Sequence, residues 1–319
     1  MKNLSLKICL VIAALFGSVG NGFATVIGTP LFEKEFFSYR VPSINMFEHN
    51  CYFFNCNANG YGQYKNGAED GFWEYFVDEI LVGKGYYKEG KKNGLWVYHF
   101  IPGSFDGYLQ TSLFYLKALY QDGNRDGIWE YYYDNGQLAG KRSYNGGKED
   151  GPWKTYHDNG ELRGNGSYKD GKEDGPWETY EETGELRDNG SYKVGKRDGI
   201  WETYHENGQL WDKGSYKDGK KEGTWTFHYT SGKLESLGTF KDGSYNGPWE
   251  IYHENGKLHY KENYKDGWQD DLSAEYYENG NLKAKGSYKD RRRSGLWIYY
   301  KEDGSLAKTE TYKGGVKFE

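Results

Sequence analysis

Gly199-Ile200-Trp201-Glu202-Thr203-Tyr204-His205-Glu206-Asn207-Gly208-Gln209-Leu210 runs on through Trp211-Asp212-Lys213-Gly214-Ser215-Tyr216-Lys217-Asp218-Gly219-Lys220, and the pattern begins again at Gly223. The opening glycine returns every 24 residues, at Gly127, Gly151, Gly175, Gly199, Gly223 and Gly247, and the step continues through Asp271 to Gly295. Two looser copies open at Gly71 and Gly94, making ten. Nine carry tryptophan at the third residue: Trp73, Trp96, Trp129, Trp153, Trp177, Trp201, Trp225, Trp249 and Trp297, with Ser273 the exception. A period of this length marks a repeat array in which each unit touches mainly its neighbours.

With the opening glycine as position 0, Asn-Gly stands at positions 8 and 9, the strongest short-range signal for a hairpin. A two-residue turn there pairs position 6 with 11, 4 with 13, and tryptophan at 2 with position 15. Position 15 is glycine in Gly166, Gly190, Gly214, Gly238 and Gly286. A glycine opposite an indole leaves room for the ring, so Trp153 is expected over Gly166 and Trp201 over Gly214. The second turn, Tyr-Lys-Asp-Gly-Lys, is read as a four-residue loop. A two-residue loop would set Lys169 against Lys172, whereas four residues pair Lys169 with Asp174 and Lys193 with Asp198. Such a loop also returns each tryptophan to the glycine of the preceding hairpin.

Alternation along the strands places tryptophan at 2, leucine at 11, glycine at 15 and tyrosine at 17 on one packed face, with position 6 beside them. The packing series is Trp129, Trp153, Trp177, Trp201, Trp225, Trp249 and Trp297. The opposite face carries a tyrosine ladder at position 5, Tyr132, Tyr156, Tyr180, Tyr204, Tyr252, Tyr276 and Tyr300, among charged residues. The expected fold is all-β, an elongated single antiparallel meander of about ten hairpins. At about 4.8 Å per strand, roughly twenty strands give a twisted, solenoid-like ribbon on the order of 90 Å long.

The composition agrees: 46 glycines, 32 tyrosines and 11 tryptophans describe short aromatic strands joined by tight turns. A net charge of −6 leaves no electrostatic footprint for nucleic acid. Residues 1–24, with Lys2 and Lys7, an apolar run from Ile8 to Val19 and Gly22-Phe23-Ala24, read as a cleaved export signal. The destination is then periplasm, cell surface or medium. In an oxidising compartment Cys51 and Cys56 can close a small disulfide loop, and a free thiol pair is the alternative. Residues 25–70 read as a capping segment with a degenerate repeat, in which Tyr64 and Gly67 hold repeat positions, and 71–319 as the array proper. Nine inserted residues around Pro102-Gly103-Ser104-Phe105-Asp106-Gly107 read as a longer hairpin tip, Trp268 as a filler of the space vacated at Ser273, and Arg291-Arg292-Arg293 as a solvated basic turn.

The motif Gly199-Ile200-Trp201-Glu202-Thr203-Tyr204 with Asn207-Gly208-Gln209-Leu210 and Tyr216-Lys217-Asp218-Gly219-Lys220 resembles the bacterial variant of the MORN repeat, and the resemblance extends over residues 71–319. It implies an extended sheet of hairpins serving protein or membrane attachment, and many bacterial members carry a YwqK-like antitoxin label. An export signal sits poorly with a cytoplasmic antitoxin.

Catalytic constellations are not evident. His157, His205 and His253 share position 6 in alternate repeats, about 19 Å apart at four strands' spacing, too far to share a metal. No nucleophile elbow, phosphate-binding glycine loop or His-Glu-x-x-His pair is present. The reading is therefore a non-enzymatic exported scaffold without cofactor or metal, whose tyrosine ladder binds an as yet unknown protein. Two alternatives stand: a cell-wall glycan or membrane-surface binder using the same aromatic rows, and an immunity protein against an envelope-acting toxin.

Overall fold

A computed structural model describes residues 37–40, 58–77, 79–99 and 113–318. The export signal, Cys51, Cys56 and the insertion around Pro102 lie outside the described residues. Every regular element among the described residues is a β-strand. The chain forms two compact units, 1–93 and 94–319. In the first, strands Phe37–Arg40, Asn59–Lys65, Ala68–Val77 and Ile80–Lys88 pair antiparallel in chain order. Its centre is Trp73, fully buried across Gly62, with the indole N–H donating to the Gln63 carbonyl at 3.2 Å. The second unit is an antiparallel meander from Leu113–Gln121 to Val316–Phe318, each hairpin pairing with the next.

The first turn is one residue longer than expected. His157 N–H donates to the Glu161 carbonyl at 2.8 Å and Gly160 N–H to the His157 carbonyl at 2.9 Å, so the loop is Asp158-Asn159-Gly160, with only the glycine in the left-handed region (φ +89°). Asparagine is there for its side chain. Asn159 Oδ1 accepts the Glu161 N–H at 2.8 Å while Nδ2 donates to the Glu182 carbonyl in the next hairpin's turn at 2.9 Å. Asn135, Asn207, Asn255 and Asn279 repeat both bonds. The added residue is taken up by a bulge: Tyr156 faces Leu162, Thr155 faces Gly164, and Trp153 faces Gly166 as expected. One consequence corrects the sequence reading. Leucine at position 11 pairs with tyrosine at position 5, and so shares the tyrosine face rather than the tryptophan face.

The second turn has two residues, not four. Lys169 faces Lys172 and Lys193 faces Lys196, with Asp170 and Gly171 both left-handed (φ 51° and 81°). These lysines are exposed, and water and salt screen their charges, so their repulsion is small. Against it stands a hydrogen bond from Gly171 N–H to the Glu149 carbonyl of the preceding hairpin at 2.7 Å, repeated at Gly195, Gly219, Gly243 and Gly267. Neighbouring turns also share ion pairs, Lys148 with Asp170 at 3.6 Å and Lys220 with Asp242 at 3.8 Å. The two residues missing from the loop reappear as a bulge at position 0. Gly175 takes φ +102° there, and at the equivalent Gly223 (φ +71°) the pairing steps between Lys213 and Ser215.

Trp177, Trp201, Trp225, Trp249 and Trp297 each lie over the glycine of the preceding hairpin, while Trp129, with Ala118 at that position, makes the equivalent indole bond to the Leu119 carbonyl at 2.9 Å. A Cβ on Gly190, Gly214, Gly238 or Gly286 would fall inside the ring of Trp201, Trp225, Trp249 or Trp297 respectively. Trp201 therefore covers Gly190, although its Cα is paired with Gly214 in its own hairpin. Each of these indole N–H groups donates to the next carbonyl along, Ser191, Ser215, Thr239 and Ser287, at 3.0 to 3.2 Å. Tyrosine or phenylalanine at position 17 packs edge-on between successive indoles, as Tyr192 does against Trp177 and Trp201. A cation at position 22 caps four rings: Arg125 on Trp129, Arg197 on Trp201, Lys221 on Trp225 and Arg293 on Trp297, at 3.8 to 4.8 Å.

Two further departures from glycine at this position change the packing. Trp153 meets Arg142 where the preceding hairpin should offer glycine, so its Nε1 swings to Gly166, which Trp177 also covers, and is left buried without a partner. Where Glu262 replaces glycine, the next tryptophan is Ser273, and the two face each other, both buried. Trp268 does not fill that space. It is half exposed with the Arg291 guanidinium 3.8 Å from its ring, while Glu262 is held by Tyr264 and Gln269 at 2.6 Å each.

Candidate interaction surface

The face opposite the tryptophans carries positions 1, 3, 5, 11, 14 and 16. Tyr132, Tyr180, Tyr204 and Tyr252 are half buried, and each hydroxyl donates to the glutamate two residues earlier, Glu130, Glu178, Glu202 or Glu250, at 2.7 to 2.9 Å. Lysines at position 14 close three of these groups: Lys141 on Glu130, Lys213 on Glu202 and Lys261 on Glu250, at 2.6 to 2.9 Å. The Lys141 ammonium and Tyr132 hydroxyl hold the Glu130 carboxyl below the usual range, and Lys213 with Tyr204 does the same to Glu202. The reciprocal effect raises the phenols, with Tyr252 pushed up to about 12 by its bond to Glu250, and Tyr204 to about 12 by burial and Glu202. Tyr156, Tyr276 and Tyr300 occupy the same ladder position, but Lys154, Ala274 and Ile298 stand where their glutamate would be.

The backbone behind this ladder is fixed from the turn side. Position 6 reaches the next ladder residue's carbonyl: His157 to Tyr180 at 3.1 Å, Tyr229 to Tyr252 at 2.6 Å, His253 to Tyr276 at 3.1 Å and Tyr277 to Tyr300 at 2.9 Å. The alternating histidines are thus inter-repeat ties, each spending Nε2 on a main-chain oxygen, as His205 also does to His228 at 2.9 Å.

Position 1, which the sequence reading left without a role, is an exposed apolar row. Ile128 is 52% exposed, Ile200 61%, Leu272 69% and Leu296 55%, with Pro152, Pro176 and Pro248 between them. Its even step from position 5 puts it on the tyrosine face, and that signal was present in the sequence.

The MORN repeat variant family matches seven segments, 125–145, 149–170, 197–218, 221–242, 245–266, 273–290 and 293–313. The chain is a MORN-repeat protein. Solved structures similar to it include TcdB2-TccC3 without its hypervariable C-terminal region, at 11% identity and a TM-score of 0.17, covering 88% of this chain and 16% of that one. Another is the Photorhabdus luminescens Tc holotoxin pore, at 11% identity and a TM-score of 0.15, covering 81% and 19%. The chain thus spans under a fifth of the length of these structures, and overlaps this low carry no functional argument. No curated protein matches it.

Within the MORN array the two faces are chemically distinct. The tryptophan file, turn asparagines and position-6 ties hold hairpins to one another. The tyrosine face presents ion-paired phenols beside aliphatic side chains open to water. Among the described residues, no group of three or more histidine, cysteine or acidic side chains is placed to hold a metal ion. The face departs from its pattern over the last repeats, where Pro248, Leu272, Ala274, Leu296 and Ile298 line a groove of about 600 Å³.

Proposed function

We propose that this MORN-repeat scaffold is a non-enzymatic, exported binding platform whose tyrosine face docks a protein partner. The observation that carries the reading is the exposed aliphatic row at position 1 on the same face as the phenols of position 5. Tyrosine and aliphatic groups at the centre of a patch, with charged residues at its edge, are the composition of protein interfaces. The opposite face has its large side chains filled by packing, which leaves them little to offer a partner.

The test uses residues 25–319 as bait against an envelope and medium extract, beside a variant with Tyr156, Tyr180 and Tyr204 changed to alanine. Near-UV circular dichroism first establishes that the variant is folded. A discrete protein held by the wild type and lost by the folded variant is the expected result. Retention of wall glycan alone would replace the reading with the carbohydrate-binding one, and unfolding of the variant would refute the assignment of these tyrosines to a binding face.

A further inference from the structure

The groove lies where the lysine pattern of the tyrosine face breaks. Elsewhere in the regular array a position-14 lysine is matched to a position-3 glutamate: Lys141 with Glu130, Lys213 with Glu202, Lys261 with Glu250. Lys285 faces Ala274 in its own hairpin and Ile298 in the next, both position-3 residues without charge. Its ammonium is exposed and no ion pair reaches it among the described residues. It lines the groove with Leu272 and Leu296, the two most exposed leucines of the position-1 row, and with Pro248. An apolar trough with one uncompensated cation at its wall is complementary to a group that is apolar on both sides of a carboxylate.

Two carboxylates near the groove do not meet that need. Glu262 turns to the tryptophan face, where Tyr264 and Gln269 hold it. Asp271 belongs to the bulge at position 0, with φ 66°, and takes its register opposite Tyr288 on that same face. Lys261, on the far wall, is already satisfied by Glu250 at 2.9 Å.

We propose that the groove bounded by Pro248, Leu272 and Leu296 is the specificity site of the platform and takes a peptide segment of the partner in which an aspartate or glutamate, bound by Lys285, is flanked by aliphatic side chains. This rests on the scaffold reading and narrows it to one stretch of the face. The flanking aliphatic groups bury against Leu272, Leu296 and Ile298. The carboxylate supplies the counter-ion that Ala274 and Ile298 withhold. Loss of a partly exposed ion pair is worth up to about fivefold in affinity, and loss of one leucine contact about tenfold or more.

The experiment probes an array of random decapeptides with the full chain, with Lys285→Glu, with Leu296→Ser, and with the Tyr156, Tyr180, Tyr204 triple alanine variant. Wild type is expected to enrich peptides having an acidic residue beside leucine, isoleucine, valine or phenylalanine. Lys285→Glu should exchange the acidic preference for lysine or arginine while keeping the aliphatic one, and Leu296→Ser should weaken all selected peptides about tenfold. The same enrichment from wild type and Lys285→Glu, or enrichment without acidic residues, overturns the proposal. Binding of laurate that is lost in Lys285→Glu, with no peptide enriched, also overturns it and gives the groove to an aliphatic carboxylate. The groove and the ladder fail separately, because a captured partner released by Lys285→Glu but not by the tyrosine variant sinks the ladder alone, and the reverse sinks the groove.

Discussion

Gly214→Ala places a methyl group inside the indole of Trp225, against Cγ, Cδ2 and Cε2. The neighbours on both sides of the clash are main chain or buried rings, Trp225 being 1% exposed and packed with Trp201, Phe240 and Trp249, so the ring has to leave its seat. An indole removes up to about 250 Å² from water, worth about 6 kcal/mol at 25 cal/mol per Å². Residual burial in the unfolded chain lowers this to about 4 kcal/mol. The bond from Trp225 Nε1 to the Ser215 carbonyl at 3.1 Å adds about 1 kcal/mol. We therefore expect Gly214→Ala to destabilise the hairpins it joins by about 3–5 kcal/mol, the range of a core tryptophan deletion. The chain itself supplies the partner experiment, since Glu262 and Ser273 stand at the equivalent pair of positions. Gly214→Glu combined with Trp225→Ser should then cost no more than Trp225→Ser alone, a coupling of about 3 kcal/mol in a double-mutant cycle. Because repeat arrays can unfold piecewise, the assay is amide hydrogen exchange across strands Leu210–Lys217, Lys220–His228 and Leu234–Lys241, together with urea denaturation. A Gly214→Ala protein within 1 kcal/mol of wild type, or strictly additive effects, would refute the close seating of Trp225 on Gly214.

Arg142→Gly should let Trp153 take the seat its fellows have, and its indole N–H, now without a partner, should exchange as slowly as that of Trp201 when followed by NMR. Asn207→Ala removes both the bond to Gln209 N–H and the tie to the Thr230 carbonyl, so a loss of about 1–2 kcal/mol is expected in local exchange around that turn, against none for substitution of the neighbouring exposed Glu206. Glu130, Glu202 and Glu250 ionise more readily folded than unfolded, so the unfolded chain takes up the proton first and their stabilisation, present above about pH 4.5, fades as pH falls. The urea midpoint should drop from pH 5 to 3, and drop less in a triple glutamine variant. At the other extreme, absorbance titration at 295 nm should show Tyr204 and Tyr252 ionising near pH 12, and their stabilising share is lost as pH rises through that value.

The period was enough to read the repeat boundaries, the hairpin order and the tryptophan-to-glycine register, because these depend only on how many residues separate paired positions. The turns themselves were not legible in that way. A loop one residue longer at Asn159 is offset by a bulge at Arg163, and a loop two residues shorter at Asp170 by a bulge at Gly175, so the strand register is unchanged while the turn chemistry differs. Asparagine signals a left-handed turn residue in the general rule, but here its side-chain bonds to two backbones decide its use. Lysine opposite lysine is unfavourable pairwise. It stands because the bond from Gly171 to Glu149 runs between hairpins, a term that a single hairpin cannot show. The Leu162 face was misassigned for the same reason, since one bulged residue inverts the alternation beyond it. The tyrosine ladder was visible from alternation alone, whereas the groove needed three repeats side by side.

Two departures from the pattern fall within one stretch of chain, and their physical independence is what gives the coincidence weight. Glu262 and Ser273 give up an indole on the packed face, while Ala274 and Ile298 give up carboxylates on the other. Neither substitution requires the other, because the side chains point to opposite sides of the sheet. Burying a glutamate that must be held by Tyr264 and Gln269 is no gain over an indole on glycine, so stability does not account for the first. The second leaves Lys285 without its ion pair and exposes Leu272 more than any other large apolar side chain among the described residues. A surface that sheds charge pairs and exposes aliphatic groups, on a frame that tolerates a local loss of packing, is better suited to holding a ligand than to holding itself together.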